Sequence, residues 1–216
     1  MFGLFRNNPA AAKVETGPTR LHVGCGQEAI AGWINIDNQP LPGVDRVLDV
    51  RGGLPFSNVA TIYAEHFLEH LALDDGLGFL AECRRVLVPE GVLRLSTPNL
   101  DWVLTTHYRW DGVAPPDRVL DCLKLNRAFH AWGHQFLYNQ EALAAALRSA
   151  GFARVTFHRY GESESPELRG LERHETWEDR DGLLHVLIAE ATGTAPREPI
   201  AAAELLKEFR ETMAAR

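Results

Sequence analysis

Two short stretches carry most of the chemical potential of this 216-residue chain. The first is Leu21-His22-Val23-Gly24-Cys25-Gly26, an apolar run ending in two glycines one residue apart. Glycines at the end of a strand allow a sharp turn and let a ligand approach the backbone without meeting a Cβ. The third glycine of a dinucleotide fingerprint is missing, because Gln27, Glu28 and Ala29 occupy that region, which argues against a pyrophosphate ligand. Asp37 closes the next apolar run and is placed to accept hydrogen bonds from both hydroxyls of a ribose. A nucleoside fits better than a dinucleotide; the plainer alternative is a tight turn with Asp37 capping a loop.

The second stretch is His66-Phe67-Leu68-Glu69-His70. It spells H-x-x-E-H, a zinc-protease pattern that needs one long helix to hold both imidazoles over a metal. Here the pattern begins where a strand ends, and Leu71 to Asp74 separate it from the next helix, so a protease is disfavoured and no metal site is expected. Further on, Trp102, Tyr108, Trp110, Phe129, Trp132, Phe136 and Tyr138 supply seven of the chain's nineteen aromatics, interleaved with His107, His130 and His134. Aromatic walls with a few polar groups suit a small-molecule pocket, although such rings also pack simply as core.

The elements that must position these residues read as alternating strands and helices. Arg20–Val23, Trp33–Ile36, Asp45–Val50, Thr61–Glu65 and Val92–Thr97 are short apolar runs of the kind found in buried parallel strands, with Phe152–Arg159 and Leu184–Glu190 following. The first crossovers are too short for ordinary helices, since only Gln27 to Gly32 separate Gly26 from Trp33. Leu73–Leu87 has leucines on one face, Asp74 and Asp75 in its first turn, Arg84 and Arg85 in its last, and Pro89 and Gly91 to stop it. Gln140–Ala150 is a second helix, closed by Gly151.

The organisation follows: residues 1–19 a flexible arm, 20–193 one catalytic domain with an aromatic-rich insertion at 99–138 and an acidic, solvated loop or lid at 162–181, and 194–216 a linker and amphipathic helix. That helix, Ile200–Met213, can pack on the body or on a second copy, giving a homodimer. Hydrophobic residues make up 45% and charged residues 24%, a globular balance that excludes wholesale disorder. The net charge of -7 leaves no basic footprint, so neither nucleic acid nor a membrane surface is an expected partner. Three cysteines without metal or disulfide spacing, and no apolar run long enough to span a bilayer, point to the cytoplasm.

Taken in order, L-H-V-G-C-G, G-W-I-N-I-D, L-P-F, H-F-L-E-H-L, R-R-V-L-V-P-E-G and A-G-F resemble the successive motifs of the class I S-adenosylmethionine-dependent methyltransferases, especially small bacterial members found near polysaccharide genes. The resemblance spans about Arg20 to Ala191. It implies an α/β, Rossmann-like sheet of seven strands with the last antiparallel, helices on both faces and shortened early crossovers. It also implies S-adenosyl-L-methionine across the C-terminal strand ends, with Gly24 and Gly26 bordering its methionine portion and Cys25 in the same cofactor-binding turn. Asp37 would hold the ribose, Asp49 and Val50 would sit by the adenine, and His66 beside the sulfonium. Glu90 stands where the family usually has the first glycine of P-G-G. Ubiquinone-type relatives carry E-x-x-E-H and bind a divalent ion there; His66 replaces the first glutamate, and Glu-His recurs in metal-free members.

His134 and Tyr138 match the family's H-x-x-x-Y before the penultimate helix. They are the expected catalytic pair, His134 as base and Tyr138 one helical turn on as an orienting hydroxyl. The reaction implied is methyl transfer to an oxygen or nitrogen of a small-molecule or saccharide-like acceptor. A non-catalytic nucleoside-binding sensor or partner subunit is the alternative, because no acceptor-specific catalytic motif such as N-P-P-Y occurs.

Overall fold

The computed structural model describes residues 19–174, 179, 182–200 and 203–214. The flexible arm expected at 1–19 lies outside the described residues except for Thr19, which opens the first strand. The strands are β1 (Thr19–Val23), β2 (Ile34–Asp37), β3 (Arg46–Val47), β4 (Val59–Glu65), β5 (Leu87–Pro98), β6 (Arg154–His158) and β7 (Val186–Thr192). They form one seven-stranded sheet in the order β3-β2-β1-β4-β5-β7-β6. Every pairing from β3 to β5 is parallel, and β7 runs antiparallel to both β5 and β6. The reversal of strand order between β1 and β4 opens a crevice at the carboxyl ends of these strands, where ligands of open α/β sheets bind.

The helices are α1 (Leu73–Val86), α2 (Leu100–His107), α3 (Pro115–His130), α4 (Gln140–Ser149) and α5 (Ala203–Ala214). α1 carries Asp74 and Asp75 at its start and Arg84 and Arg85 at its end, matching the helix dipole, and buries Phe79, Leu80, Cys83 and Val86. Strand alternation supplies the facing surface: Leu21, Val23, Ile36, Ile62, Ala64, Leu93, Leu95, Leu187 and Ala189 all join this core. α4 completes it with Leu143, Ala146 and Leu147, and ends at Gly151, whose φ of 97° suits a helix terminus closed by glycine.

The second face of the sheet packs Trp33, Tyr63 and Leu168 beneath loops, because ten residues from Gly24 to Trp33 are too few for a crossover helix. The loop starting at 162 is not simply solvated. Arg94, fully buried on β5, donates to Glu172 at 2.7 Å and to Glu190 at 2.6 Å, and the Ser163 hydroxyl reaches Glu190 at 2.6 Å. A buried cation needs such partners, so this cluster ties segment 160–174 to the sheet. The rest of the loop, 175–178 and 180–181, lies outside the described residues.

Two boundaries also differ from the sequence expectation. Pro89 and Gly91 do not separate helix from strand; α1 ends at Val86, and β5 begins at once. Val59 pairs with Leu87 and Thr61 with Val92, so the intervening residues bulge from the ladder, as the missing proline N–H requires. The third strand shrinks to two exposed residues, and Asp49 instead accepts from the Arg51 amide to cap a 3-10 turn at Val50–Gly52. α5 packs on its own chain, with Phe209 against Phe136 at 5.9 Å between ring centres and Arg210 paired to Asp74 at 2.6 Å.

Candidate active site

A cleft of about 510 Å³ opens at the carboxyl ends of β1, β2 and β4 and is lined by Gly24, Gly26, Asp37, Asp49, Val50 and His66, together with Phe67, His70 and Gln135. Six of the seven residues expected to hold a cofactor therefore come together. Cys25 is the exception. Its side chain is buried and does not line the cleft, its amide is tied to the Ile36 carbonyl at 3.1 Å, and burial followed by the nearby Asp37 charge pushes its thiol up to about 11.

The two glycines do different work. A Cβ on Gly24, at φ +68°, would stand 2.3 Å from the Phe67 ring, so this glycine exists for internal packing. Gly26, at φ +51°, has no heavy atom within 4 Å of the Cβ position. Both glycines line the cleft, Gly24 backed by the Phe67 ring and Gly26 open at its Cβ position. The Gly26 amide donates to Asp37 Oδ2 at 2.9 Å, and Gln39 donates to Oδ1 at 2.9 Å. Each carboxylate oxygen keeps acceptor capacity for a further donor. Asp49 pairs with Arg51 at 2.6 Å at the rim, and hydrogen bonds from Arg51 hold its carboxyl below the usual range.

His66 takes φ +45° directly after β4, an uncommon conformation for a side chain of this size. Its Nδ1 lies 3.0 Å from Glu69 Oε1, and its ring stacks on His174 at 4.1 Å. Glu69 is fully buried and also accepts from the Thr97 hydroxyl at 3.0 Å. Arg173 and His174 donate backbone amides to Glu65 Oε1 at 2.8 and 3.1 Å, so the loop from β6 is latched over the end of β4.

A second cavity of about 460 Å³ adjoins the first, with His66 in the wall of both. α2 contributes Trp102 and His107, α3 Lys124 and Arg127, the segment after α3 Trp132 and His134, and the residue before β7 His185. Only two of the seven aromatics expected there, Trp102 and Trp132, line it. Trp110 is exposed, while Phe136 and Tyr138 belong to the core.

His134 lines the second cavity. Its Nδ1 lies 2.8 Å from the Ala128 carbonyl, which can only accept, so Nδ1 carries a proton and Nε2 is the ring nitrogen left free of this bond. Tyr138 is corrected as its partner. A 3-10 turn at Ala131–Gly133 ends the helical path, Tyr138 forms a bridge with Asn99, and its ring is buried with the hydroxyl unpaired against α1 near Gly76. Burial, then the Glu69 charge, raises its pKa and keeps the phenol protonated. It lines neither cavity.

His185 was not singled out as functional by the sequence. It lines the second cavity, and burial followed by the His66 charge pushes it down to about 4, so it is neutral at pH 7. Antiparallel β7 begins at the same sheet edge where the parallel strands end, a topological signal that could have marked it. Glu69, His70 and His134 each bring one ligand-capable atom to within 4.8 Å of the others, the set among the described residues able to hold a divalent ion.

The fold is matched in solved structures. A SAM-dependent methyltransferase of Thermotoga maritima, described as a possible histamine N-methyltransferase, aligns over 85% of this chain and 85% of its own at 15% identity with a TM-score of 0.52. A SAM-dependent methyltransferase from Archaeoglobus fulgidus aligns over 81% of this chain and 86% of its own at 16% identity and the same TM-score of 0.52. The chain has the class I methyltransferase fold. A possible exported protein from Bordetella parapertussis also aligns, at 18% identity and a TM-score of 0.52, over 84% of this chain, which spans 63% of the Bordetella chain. No protein-family model matches the sequence, and none of the curated proteins is similar enough to match. Among the described residues no helix is long and apolar enough to cross a membrane.

Proposed function

We propose that this chain transfers a methyl group from S-adenosylmethionine to an oxygen or nitrogen of a small or saccharide-like acceptor. The observation that carries this reading is the pair of cavities at one sheet edge, sharing His66, with the Gly26 turn and Asp37 on one side and His134 on the other. The first cleft fits the cofactor: about 510 Å³, an open glycine, the Asp37 carboxylate for the ribose, and Asp75 in the wall. The chain's free cysteines, Cys25, Cys83 and Cys122, suit the cytoplasm.

Bound S-adenosylmethionine would supply a methyl group activated by a sulfonium that leaves as a neutral thioether. The protein then has to align and to handle one proton. Asp37 would hold the ribose hydroxyls, Val50 would offer an apolar contact to the base, and His66 would wall the junction at which the acceptor enters. Near-attack positioning supplies most of the rate in such a displacement. For a hydroxyl acceptor, His134 Nε2 takes the departing proton, a contribution of ~10²- to 10⁴-fold.

A second reading is favoured by the grouping of Glu69, His70 and His134. Two imidazoles and one carboxylate would suit zinc or manganese better than magnesium, and His134 would then be a ligand rather than a base. Metal analysis of protein purified without chelator, followed by turnover after chelation, separates the two. Full activity of metal-free protein supports His134 as base. Production of S-adenosylhomocysteine with an acceptor library tests the enzyme reading itself; cofactor binding without turnover on any acceptor would favour the non-catalytic alternative.

A further inference from the structure

The second cavity has a charge pattern opposite to that of the chain. The protein carries a net charge of -7, yet neither Asp nor Glu lines this cavity. Lys124 and Arg127 do, three residues apart on α3 and therefore on one helix face. Among the described residues neither is paired with a carboxylate, whereas Arg109 on the same side of the molecule is paired with Asp121 at 2.7 Å. The Arg127 guanidinium lies 5.0 Å from the centre of the Trp132 ring, which braces it in place. The adjoining cofactor cleft is lined instead by Asp37 and Asp75, together with Asp49 paired to Arg51.

The histidines sharpen this division. His185 is held neutral by burial, and His107 is lowered by burial and then by Lys124 and Arg127. At neutral pH these two rings offer hydrogen bonds without charge, leaving the fixed positive charge to Lys124 and Arg127. Unpaired cations at the wall of a concave apolar site focus the field and favour an anion. Trp102 and Trp132 add flat apolar walls on which a ring can lie.

We propose that the methyl acceptor is an oxyanion-bearing ring compound, its carboxylate or phosphate held by Lys124 and Arg127, its ring against Trp102 and Trp132, and its nucleophilic group turned toward His134. This rests on the methyl-transfer reading and narrows it to acidic acceptors. The cationic donor and anionic acceptor would then occupy neighbouring cavities of opposite polarity.

The test uses the full chain saturated with S-adenosylhomocysteine, titrated with phenyl phosphate, benzoate and benzyl alcohol and followed by saturation-transfer NMR and tryptophan fluorescence. Either anion should bind about tenfold or more tightly than benzyl alcohol, with the preference falling as salt is added. The stronger anion identifies phosphate or carboxylate as the preferred group. The double variant Lys124→Met/Arg127→Met should lose that preference while its affinity for S-adenosylhomocysteine stays within a few-fold of wild type. Equal binding of the anions and the alcohol, or an anion preference that survives in the double variant, overturns the proposal. If S-adenosylhomocysteine itself fails to bind, the methyl-transfer reading falls, and the same three titrations without it still report on the cavity.

Discussion

The Gly26 amide donates a 2.9 Å hydrogen bond to the Asp37 carboxylate, so the residue that ends β2 also holds the turn that leaves β1. Asp37 is fixed from a second side by the Gln39 amide at 2.9 Å. A carboxylate gripped by two backbone donors presents its remaining lone pairs in one orientation, which is what a ribose diol needs.

Replacing it should therefore be costly for the ligand. Asp37→Ala is expected to weaken S-adenosylhomocysteine by about 2 to 4 kcal/mol, or ~30- to 1000-fold, through two lost charge-assisted hydrogen bonds. Asp37→Asn should not restore the affinity, because its NH₂ group faces a backbone N–H. Calorimetric titration of both variants measures this, and wild-type affinity in either removes Asp37 from the ribose site.

The glycines should separate fold from ligand. Gly24→Val drives a side chain into Phe67 in a backbone conformation that side chains avoid, so the melting temperature should fall, with a cost of about 1 to 3 kcal/mol or more. At Gly26 a Cβ meets no heavy atom within 4 Å, so Gly26→Val should lose about 1 to 2 kcal/mol from φ alone, while cofactor affinity drops steeply. Thermal melts and titrations on the same samples decide it; a stable Gly24→Val protein contradicts the packing assignment.

His134 and Tyr138 should part company in kinetics. His134→Ala is expected to lower kcat by ~100-fold or more with cofactor affinity within a few-fold, provided the acceptor is a hydroxyl. Tyr138→Phe should leave kcat unchanged and leave stability equal or higher, since it removes a buried hydroxyl without a partner. A large kcat loss in Tyr138→Phe would return the phenol to the mechanism.

How far the sequence reached can be traced through these residues. Short apolar runs ending in Gly, Asp or Glu-His located the strands and hence the cleft, because chain ends of parallel strands put Gly26, Asp37 and His66 at one edge whatever the side chains do. Contacts between distant segments were not legible. Nothing near Gly24 announces that Phe67 fills its Cβ position, and Arg94, one charge in an apolar strand, finds Glu172 and Glu190 at separations of 78 and 96 residues. Tyr138 misleads because His134 is already extended, at φ -60° and ψ 136°, and residues 134–137 form no helix, so four residues do not make one helical turn.

The latch over β4 should depend on pH. Burial pushes Glu65 up, but hydrogen bonds from the His174 ring and from the Arg173 and His174 amides more than offset it and bring the carboxyl to about 2. His174 is raised from its ordinary 6.5, first by its hydrogen bond to Glu65. Glu65 stabilises the latch above its unfolded value of 4.5, a contribution lost as pH falls toward 2. His174 contributes fully below 6.5 and loses its contribution as pH rises through its higher folded value. Hydrogen-exchange protection of segment 161–174 should therefore be greatest between about pH 4.5 and 6.5 and decline on both sides. Glu65→Gln should flatten the profile; an unaltered profile in that variant would show that the ion pair does not hold the loop.

The most direct measurement is calorimetric titration of the full chain with S-adenosylhomocysteine. The account predicts one site per chain, with affinity reduced together by Asp37→Ala and Gly26→Val while both variants keep the wild-type circular dichroism spectrum. Absence of binding to the wild-type protein, or binding that neither variant changes, would contradict the assignment of the β1–β2–β4 cleft as the site of the methyl donor.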